Sequence, residues 1–173
     1  MKLKKNFKIP QKQISIKNIH RKIFTTQLIL IITLALFLGI SGTLINIHFE
    51  IDKRDQNLQN IAEAVANSPL VDDKIENPDD EKTTELLNEY LDSLKITLDN
   101  IDVISFVSRE NVRLYHSNHD LIGTEYDGTI PEFEKVSKEY YTANETGPSG
   151  SQRRAYAAVY DKNGNYTGFV MTI

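Results

Sequence analysis

Residues 153–173 read RRAYAAVYDKNGNYTGFVMTI, and this stretch decides the fold. Two runs rich in aromatic and β-branched residues, AYAAVY and YTGFVMTI, flank the turn sequence KNGN. Asn163 and Gly164 readily adopt the positive φ angles of a type I′ turn, so the stretch predicts an antiparallel hairpin closed by that turn. The last part of the chain is therefore expected to form an antiparallel sheet.

Strand patterns continue upstream of this hairpin. Residues 102–108 and 111–117 form two short apolar runs, separated by a turn at residues 109–111, and predict a second hairpin. Residues 139–144 predict a further strand, and GPSGS at 147–151 predicts the turn that follows it. Between the second hairpin and residue 139, residues 121–133 have the composition of a loop, with Pro131 opening a short helix through Val136. Five antiparallel strands are expected in total.

Helical patterns precede the strands. Apolar residues at helical spacing predict an amphipathic helix over residues 49–67, ended by Ser68 and Pro69. Residues 71–80, VDDKIENPDD, are expected to form a polar loop, and residues 80–97 a second helix with an apolar face. Helices followed by a five-stranded antiparallel sheet predict an α+β domain, a pattern typical of sensor domains.

An uncharged apolar run occupies residues 23–47. At about 1.5 Å per residue its length exceeds the roughly 30 Å hydrocarbon core of a membrane, which predicts a transmembrane helix. A cleaved signal peptide usually has a much shorter apolar region. Of the 20 basic residues, eight precede the first acidic residue, Glu50, which predicts a cytoplasmic tail over residues 1–22 and an extracytoplasmic domain over residues 48–173.

Composition excludes several classes of function. The chain has no cysteine, so it forms no disulfide and no thiolate metal site. His116 and His119 lie three residues apart outside a helix, which is not a metal-binding pattern, and no nucleotide-binding or hydrolase motif is present. The acidic external domain does not suit a nucleic acid partner. We therefore expect no catalytic site, no metal and no cofactor within this chain.

Cationic residues on predicted strands stand out in this acidic domain. Arg113 and His116 lie on one strand, and Arg153 and Arg154 on another. An arginine fork binds a carboxylate through two hydrogen bonds, and a histidine can add a donor or a charge. Residues 113 and 116 converge only if their strand ends near Tyr115, because side chains alternate along a strand. The other interpretation is that these cations form ordinary surface ion pairs with the surplus of acidic residues.

Two stretches carry a family resemblance: DVISFVSRENVRLYHSNHDLIGTEYDG at 102–128 and GPSGSQRRAYAAVYDKNGNYTGFVMTI at 147–173. The shared pattern is a strand with R-x-x-H, Ile-Gly six residues beyond the histidine, a glycine-rich turn before an arginine strand, and a D-x-x-G-x-x-x-G ending. With these motifs, residues 100–173 resemble the periplasmic PAS-like domain of citrate and C4-dicarboxylate sensor histidine kinases. The resemblance implies a PAS-like or Cache sheet flanked by helices.

The resemblance implies a carboxylate site. It places ligand-binding roles on Arg113, His116 and Arg154, with Arg153 as the less favoured alternative to Arg154. The full predicted set is Arg113, His116, Tyr126, Ser151, Arg153, Arg154 and Tyr156. Citrate sensors have a lysine where this chain has Tyr156, and one cation fewer favours a dianion. Malate, fumarate or succinate is therefore expected in preference to citrate.

The resemblance also implies a larger protein. The chain stops at Ile173 within the predicted last strand, so we expect a fragment, with a second membrane helix and a kinase core using ATP and Mg²⁺ beyond it. The expected partners are a small carboxylate, the membrane, a second copy of the chain and a response regulator. Alternative functions are a chemoreceptor ectodomain and a ligand-independent dimerisation or structural module; an extracellular enzyme is the least favoured class.

Overall fold

The structure, a computed structural model, describes residues 16–98, 100–133, 139–147 and 150–173. The chain divides into two compact units, Met1–Phe49 and Glu50–Ile173. The described elements are three α-helices and five strands: α1 Ile16–Ala66, α2 Pro69–Glu76, α3 Glu81–Thr97, β1 Ile104–Ser108, β2 Arg113–His116, β3 Tyr140–Gly147, β4 Gly150–Tyr160 and β5 Tyr166–Thr172. The predicted α+β class with a five-stranded antiparallel sheet is confirmed.

Helix α1 belongs to both units. Within the described residues it is the one helix whose length and apolar composition suit a membrane crossing. In the second unit its apolar spacing produces a buried face. That face consists of Leu58, Ile61, Ala62, Val65 and Ala66. The predicted amphipathic helix is thus present, and it ends one residue before the predicted boundary.

The prediction of a polar loop over residues 71–80 is wrong, because most of this segment lies in α2. Ser68 caps α2, its hydroxyl accepting from the Leu70 backbone N–H, and Pro69 occupies the first turn, where no N–H partner is needed. The pair that ends α1 therefore also begins the next helix. The buried Lys74 ammonium donates to Pro78 O and to Thr84 Oγ1, both at 2.6 Å, which ties α2 to α3.

The sheet has the strand order β2-β1-β5-β4-β3, with every neighbouring pair antiparallel. One face packs against the three helices and is called the helical face. Its buried residues are Ile104, Phe106, Tyr115, Ala155, Ala157, Val159 and Val170. The opposite face, called the loop face, carries a second apolar cluster of Val107, Tyr156, Phe169 and Met171. Tyr126 and Phe133, from the segment between β2 and β3, pack on this cluster.

The β4–β5 hairpin is present, but its predicted type I′ turn is wrong. Of the two central residues only Gly164 has a positive φ, of 80°. The Gly164 N–H donates to Asp161 O, and the Asp161 carboxylate accepts from the backbone N–H groups of Asn163 and Asn165. These bonds favour a type I turn followed by a left-handed glycine, the other common short hairpin connection.

Three predicted features fall partly outside the described residues. The short helix predicted from Pro131 through Val136 includes residues 134–136, and the turn predicted at 147–151 includes residues 148–149. The cytoplasmic tail predicted over residues 1–22 is described only from residue 16. The described residues add a single 3₁₀ turn, His119–Leu121, which follows β2 along the chain.

Strands β1 and β5 approach each other closely at Gly168. This glycine pairs with Ser108 on β1 and with Val159 on β4. A β-carbon at this position would lie 2.1 Å from the Val107 carbonyl oxygen, far inside contact distance. The sheet register at this point therefore requires a residue without a side chain.

Replacing Gly168 with alanine should destabilise the second unit by about 1–3 kcal/mol, the usual cost of overpacking a tight interior. Urea unfolding of the full chain in detergent, followed by near-ultraviolet circular dichroism, measures the change. Gly39→Ala is the control, since no atom lies within 4 Å of a β-carbon there. Equal midpoints for Gly168→Ala and the wild type would contradict the close approach.

Candidate ligand-binding site

A β-bulge in β2 brings Arg113 and His116 to the same face of the sheet. The register pairs Phe106 with Tyr115 but Val107 with Arg113, so one residue of β2, Leu114, has no opposite partner. His116 then pairs with Ser105. Because paired residues lie on one face, Arg113 and His116 both belong to the loop face, while Tyr115 is buried on the helical face. The expected convergence is achieved by a bulge rather than by the end of the strand.

The alternation of β4 separates its two adjacent arginines. Arg154 lies on the loop face with Tyr156, whereas Arg153 lies on the helical face. There the Arg153 guanidinium makes a two-point ion pair with Asp55 of α1 and also donates to Thr142 Oγ1 at 2.9 Å. The hydrogen bond from Arg153 holds the pKa of the Asp55 carboxyl below its usual range. Arg153 therefore joins α1 to the sheet.

Ser151 lies on the same side of β4 as Arg153. Together with Arg54, Leu58 and Ile173, these residues line a groove of about 440 Å³. The structure thus does not bring Ser151 or Arg153 to the loop face. The predicted residues that it does bring there are Arg113, His116, Tyr126, Arg154 and Tyr156.

Arg113 is 8% exposed and is held by the segment that follows β2. Its guanidinium donates to Thr124 Oγ1 at 2.9 Å, to the Glu125 carbonyl and to the Asp127 carboxylate. Its carbon lies 5.3 Å from the centre of the Tyr126 ring, a cation–π distance. Arg113 Nε is buried and has no hydrogen-bond partner among the described residues.

Arg154 is 7% exposed, and all its described hydrogen-bond partners are neutral. Its Nε and Nη2 donate to Gln152 Oε1 at 3.1 and 2.7 Å, and its Nη1 donates to the Tyr126 hydroxyl at 3.4 Å. No carboxylate among the described residues forms an ion pair with it. Glu145 and Asp127 interact with its charge without contacting it. A buried cation in such surroundings has lost hydration without gaining a hydrogen-bonded carboxylate among the described residues, which is an unfavourable state.

Two tyrosine hydroxyls lie beside Arg154. The Tyr126 hydroxyl donates weakly to Met171 Sδ at 3.5 Å, and its ring packs edge-on against Phe169. The Tyr156 hydroxyl is buried close to Arg154 and Tyr126, but without hydrogen-bond geometry to a described residue. Burial raises the pKa of both phenols, so both keep their protons at neutral pH. The loop face therefore presents two O–H donors next to a guanidinium.

His116 lies half-buried at the edge of this group. Its Nδ1 is 2.9 Å from the Asn118 backbone N–H, which fixes the ring against the turn after β2. Burial lowers the pKa of its imidazole, and the positive charge of Arg113 lowers it further. His116 is therefore neutral at pH 7 in this structure.

Sequence reasoning missed three contributors to the site. Gln152 holds Arg154, Asp127 neutralises Arg113, and Gly128 leaves room for the Tyr126 hydroxyl, which would lie 2.5 Å from a β-carbon at that position. Strand alternation offered a signal for Gln152, two residues before Arg154. Asp127 and Gly128 lie in a loop without periodicity. Among the described residues, no cluster of three or more His, Asp or Glu side chains could hold a metal ion.

Comparison with solved structures identifies the fold. The structure resembles the sensor domain of Escherichia coli DcuS, with 21% identity, a TM-score of 0.50, and coverage of 69% of this chain and 90% of that one. It also resembles the sensor domain of the Vibrio cholerae histidine kinase DctB, with 14% identity and a TM-score of 0.53. That match covers 76% of this chain but only 55% of DctB's.

No family model matches the sequence, and no curated protein matches it either. At identities of 21% and 14% the likeness establishes a shared fold. The resemblance found in the sequence is confirmed at this level: the chain shares the fold of the DcuS and DctB sensor domains.

The two adjacent arginines should differ in their effect on stability. Arg153→Gln removes the ion pair with Asp55 and should cost about 1–3 kcal/mol of unfolding free energy, as for hydrogen bonds between charged groups. Arg154→Gln removes a buried charge without a counter-ion and should be neutral or stabilising. Thermal unfolding of both variants in detergent measures this difference.

The direction in which this stability difference changes with pH follows from the pKa of Asp55. Because the folded pKa of Asp55 is lowered, its contribution is present above its unfolded pKa of about 3.9 and is lost as pH falls through the folded value. The gap between wild type and Arg153→Gln should therefore shrink in acid. A gap that stays constant down to pH 2, or a larger loss for Arg154→Gln, would contradict this assignment.

Proposed function

We propose that this chain is the sensory part of a membrane-bound sensor histidine kinase and that its external domain binds a small carboxylate on the loop face. The observation that carries this proposal is the state of Arg154. It is nine-tenths buried, and its hydrogen-bond partners among the described residues are all neutral, so a ligand carboxylate would supply a contacting counter-charge. A structural arginine, such as Arg153, has its carboxylate within the protein.

Three further groups suit the same ligand. The Tyr156 hydroxyl and Arg113 Nε are buried donors without described partners, and each unpaired buried donor carries a cost that an incoming acceptor would remove. The Tyr126 hydroxyl has only a weak sulfur acceptor. A carboxylate has two oxygens and about four acceptor positions, enough for several of these donors at once.

The ligand class follows from charge. Arg113 and Arg154 supply two cations on the loop face, and Tyr156 supplies a phenol where citrate sensors have a lysine. A third ligand carboxylate would then be desolvated without a cation of its own. We therefore propose a dicarboxylate such as malate, fumarate or succinate in preference to citrate.

The proposed signalling route leads through the membrane. The basic start of the chain and the apolar part of α1 favour a cytoplasmic N-terminus and an external sensor domain. Ligand binding would draw β2 and β4 together and displace β5, which lies with β1 between them. The ligand can shift this equilibrium only by its difference in affinity for the two states. A homodimer, a kinase core with ATP and Mg²⁺, and a response regulator complete the proposal.

One observation favours a ligand-independent structural module instead. Arg113 already has an internal carboxylate in Asp127, and Gln152 accepts two hydrogen bonds from Arg154. In that alternative the arginines need no ligand. Binding measurements separate the two functions.

Calorimetric titration of the full chain in lipid nanodiscs with malate, fumarate, succinate and citrate tests the proposal. We expect saturable binding of a dicarboxylate and at least a 30-fold loss of affinity in Arg154→Gln, the usual scale for deleting one partner of a buried charge pair. Arg153→Gln is the matched control and should retain binding after folding is verified. Equal affinity of Arg154→Gln and wild type, or no binding by a folded wild type, would reject the carboxylate site in favour of the structural module.

His116 allows the proposed binding site to be tested by the pH dependence of ligand affinity. In the free protein the His116 pKa is lowered below its usual 6.5 by burial, and a carboxylate bound beside it would raise that pKa. Binding should then take up a fraction of a proton, and affinity should increase as pH falls from 7.5 to 6. Titrations in buffers of different ionisation enthalpy measure the uptake. Proton uptake that persists unchanged in His116→Asn would assign it to another group.

A further inference from the structure

The ion pair between Arg113 and Asp127 is strongly asymmetric. The arginine side chain is 9% exposed, whereas the Asp127 side chain is 88% exposed. A buried cation is thus neutralised by a carboxylate that remains in water. The hydrogen bond from Arg113 holds the pKa of Asp127 below its usual range, so this carboxylate is ionised at neutral pH.

The backbone bonds of this segment end before Asp127. Residues 123–126 are tied to the start of β2 and the residues before it, since the Gly123 N–H donates to Arg113 O and the Tyr126 N–H donates to Asn111 O. Beyond them, the Asp127 carboxylate accepts from Arg113 and from its own backbone N–H, and Thr129 donates to Glu145. The Asp127 side chain can therefore leave Arg113 without breaking the backbone bonds that position the arginine.

The two arginines share one aromatic residue. Arg113 stacks on the Tyr126 ring at 5.3 Å, and Arg154 reaches the Tyr126 hydroxyl at 3.4 Å. The two cations thus contact the same tyrosine side chain, and of the two Arg113 alone has an ion pair among the described residues. A ligand with a carboxylate at each end could pair with both, and its second carboxylate would then compete with Asp127 for the Arg113 guanidinium.

We propose that Asp127 is an internal carboxylate that occupies Arg113 in place of a ligand's second carboxylate, and that a dicarboxylate displaces it on binding. This inference rests on the proposed function of the site. Asp127 would then determine specificity. A ligand with one carboxylate binds Arg154 and leaves Asp127 in place, whereas a ligand with two must compete with it.

The competition reduces apparent affinity in a defined way. A site that is free for only a fraction of the time binds with an affinity reduced by that fraction. Releasing Asp127 costs little desolvation, because its carboxylate is already in water, and the incoming carboxylate keeps Arg113 neutralised. Removing the Asp127 charge should therefore strengthen dicarboxylate binding while leaving monocarboxylate binding unchanged.

The test compares succinate with propionate as probes, by calorimetry on the full chain in nanodiscs. We expect Asp127→Asn to bind succinate at least tenfold more tightly than wild type and to change propionate affinity by less than twofold. Glu125→Gln is the matched control. It removes a negative charge two residues away, from a carboxylate with no ion pair among the described residues, and should change neither affinity by more than twofold.

Each of the other outcomes of these titrations rejects a defined part of the proposal. If wild type binds succinate and Asp127→Asn binds it no more tightly, the internal carboxylate is rejected while the carboxylate sensor stands. If succinate and propionate both gain equally, or if Glu125→Gln gains as much, the effect is a long-range charge effect and the inference fails. If no folded protein or variant binds either probe, the proposed function fails as well.

Discussion

The alternation of side chains along β4 is the constraint on which the rest of the structure depends. Arg153 points to the helices and pairs with Asp55, so a charge on β4 attaches α1 to the sheet. Arg154, one residue later, must then point to the loop face, where it meets Tyr126 and Gln152. A shift of one residue in the pairing of β4 would exchange these roles and would also exchange its two apolar surfaces.

The loop face concentrates unfavourable polar groups in one place. It contains a buried cation with no ion pair among the described residues, a buried phenol without a described partner and a guanidinium nitrogen without one. Natural structures satisfy most such groups, so their presence on one face is the observation from which the proposed site is argued. The helical face, by contrast, pairs Arg153 with Asp55, and β5 with α1 through Thr172 and Leu58 O. The contacts that hold the helices and the proposed binding groups thus lie on opposite sides of one sheet.

Most of the fold could be predicted because its signals are local. The strands, the helix from residue 80 and the hairpin position follow from periodicity and turn residues within a few positions of each other. The errors in the predicted secondary structure came from residues that suit two local structures. Pro69 both follows one helix and begins another. Asn163-Gly164 suits two turn types, and the hydrogen bonds that the Asp161 carboxylate accepts favour one of them. The predicted site residues lie on two faces for a related reason, since Arg153 is adjacent to Arg154 in sequence and Ser151 is three residues from it, but both lie on the other face.

The sequence by itself determined which chemistry is present: an apolar segment long enough to cross a membrane, an acidic domain of helices followed by strands, and a few cations suited to carboxylates. These are properties of composition and of spacing along the chain. Only the tertiary structure decided how the cations are used. The bulge at Leu114 that brings Arg113 and His116 together, the pairing of Asp55 with Arg153, and the contact of Asp127 with Arg113 all depend on register and loop path between distant residues. Such contacts are set by packing of the whole sheet, which no local pattern records.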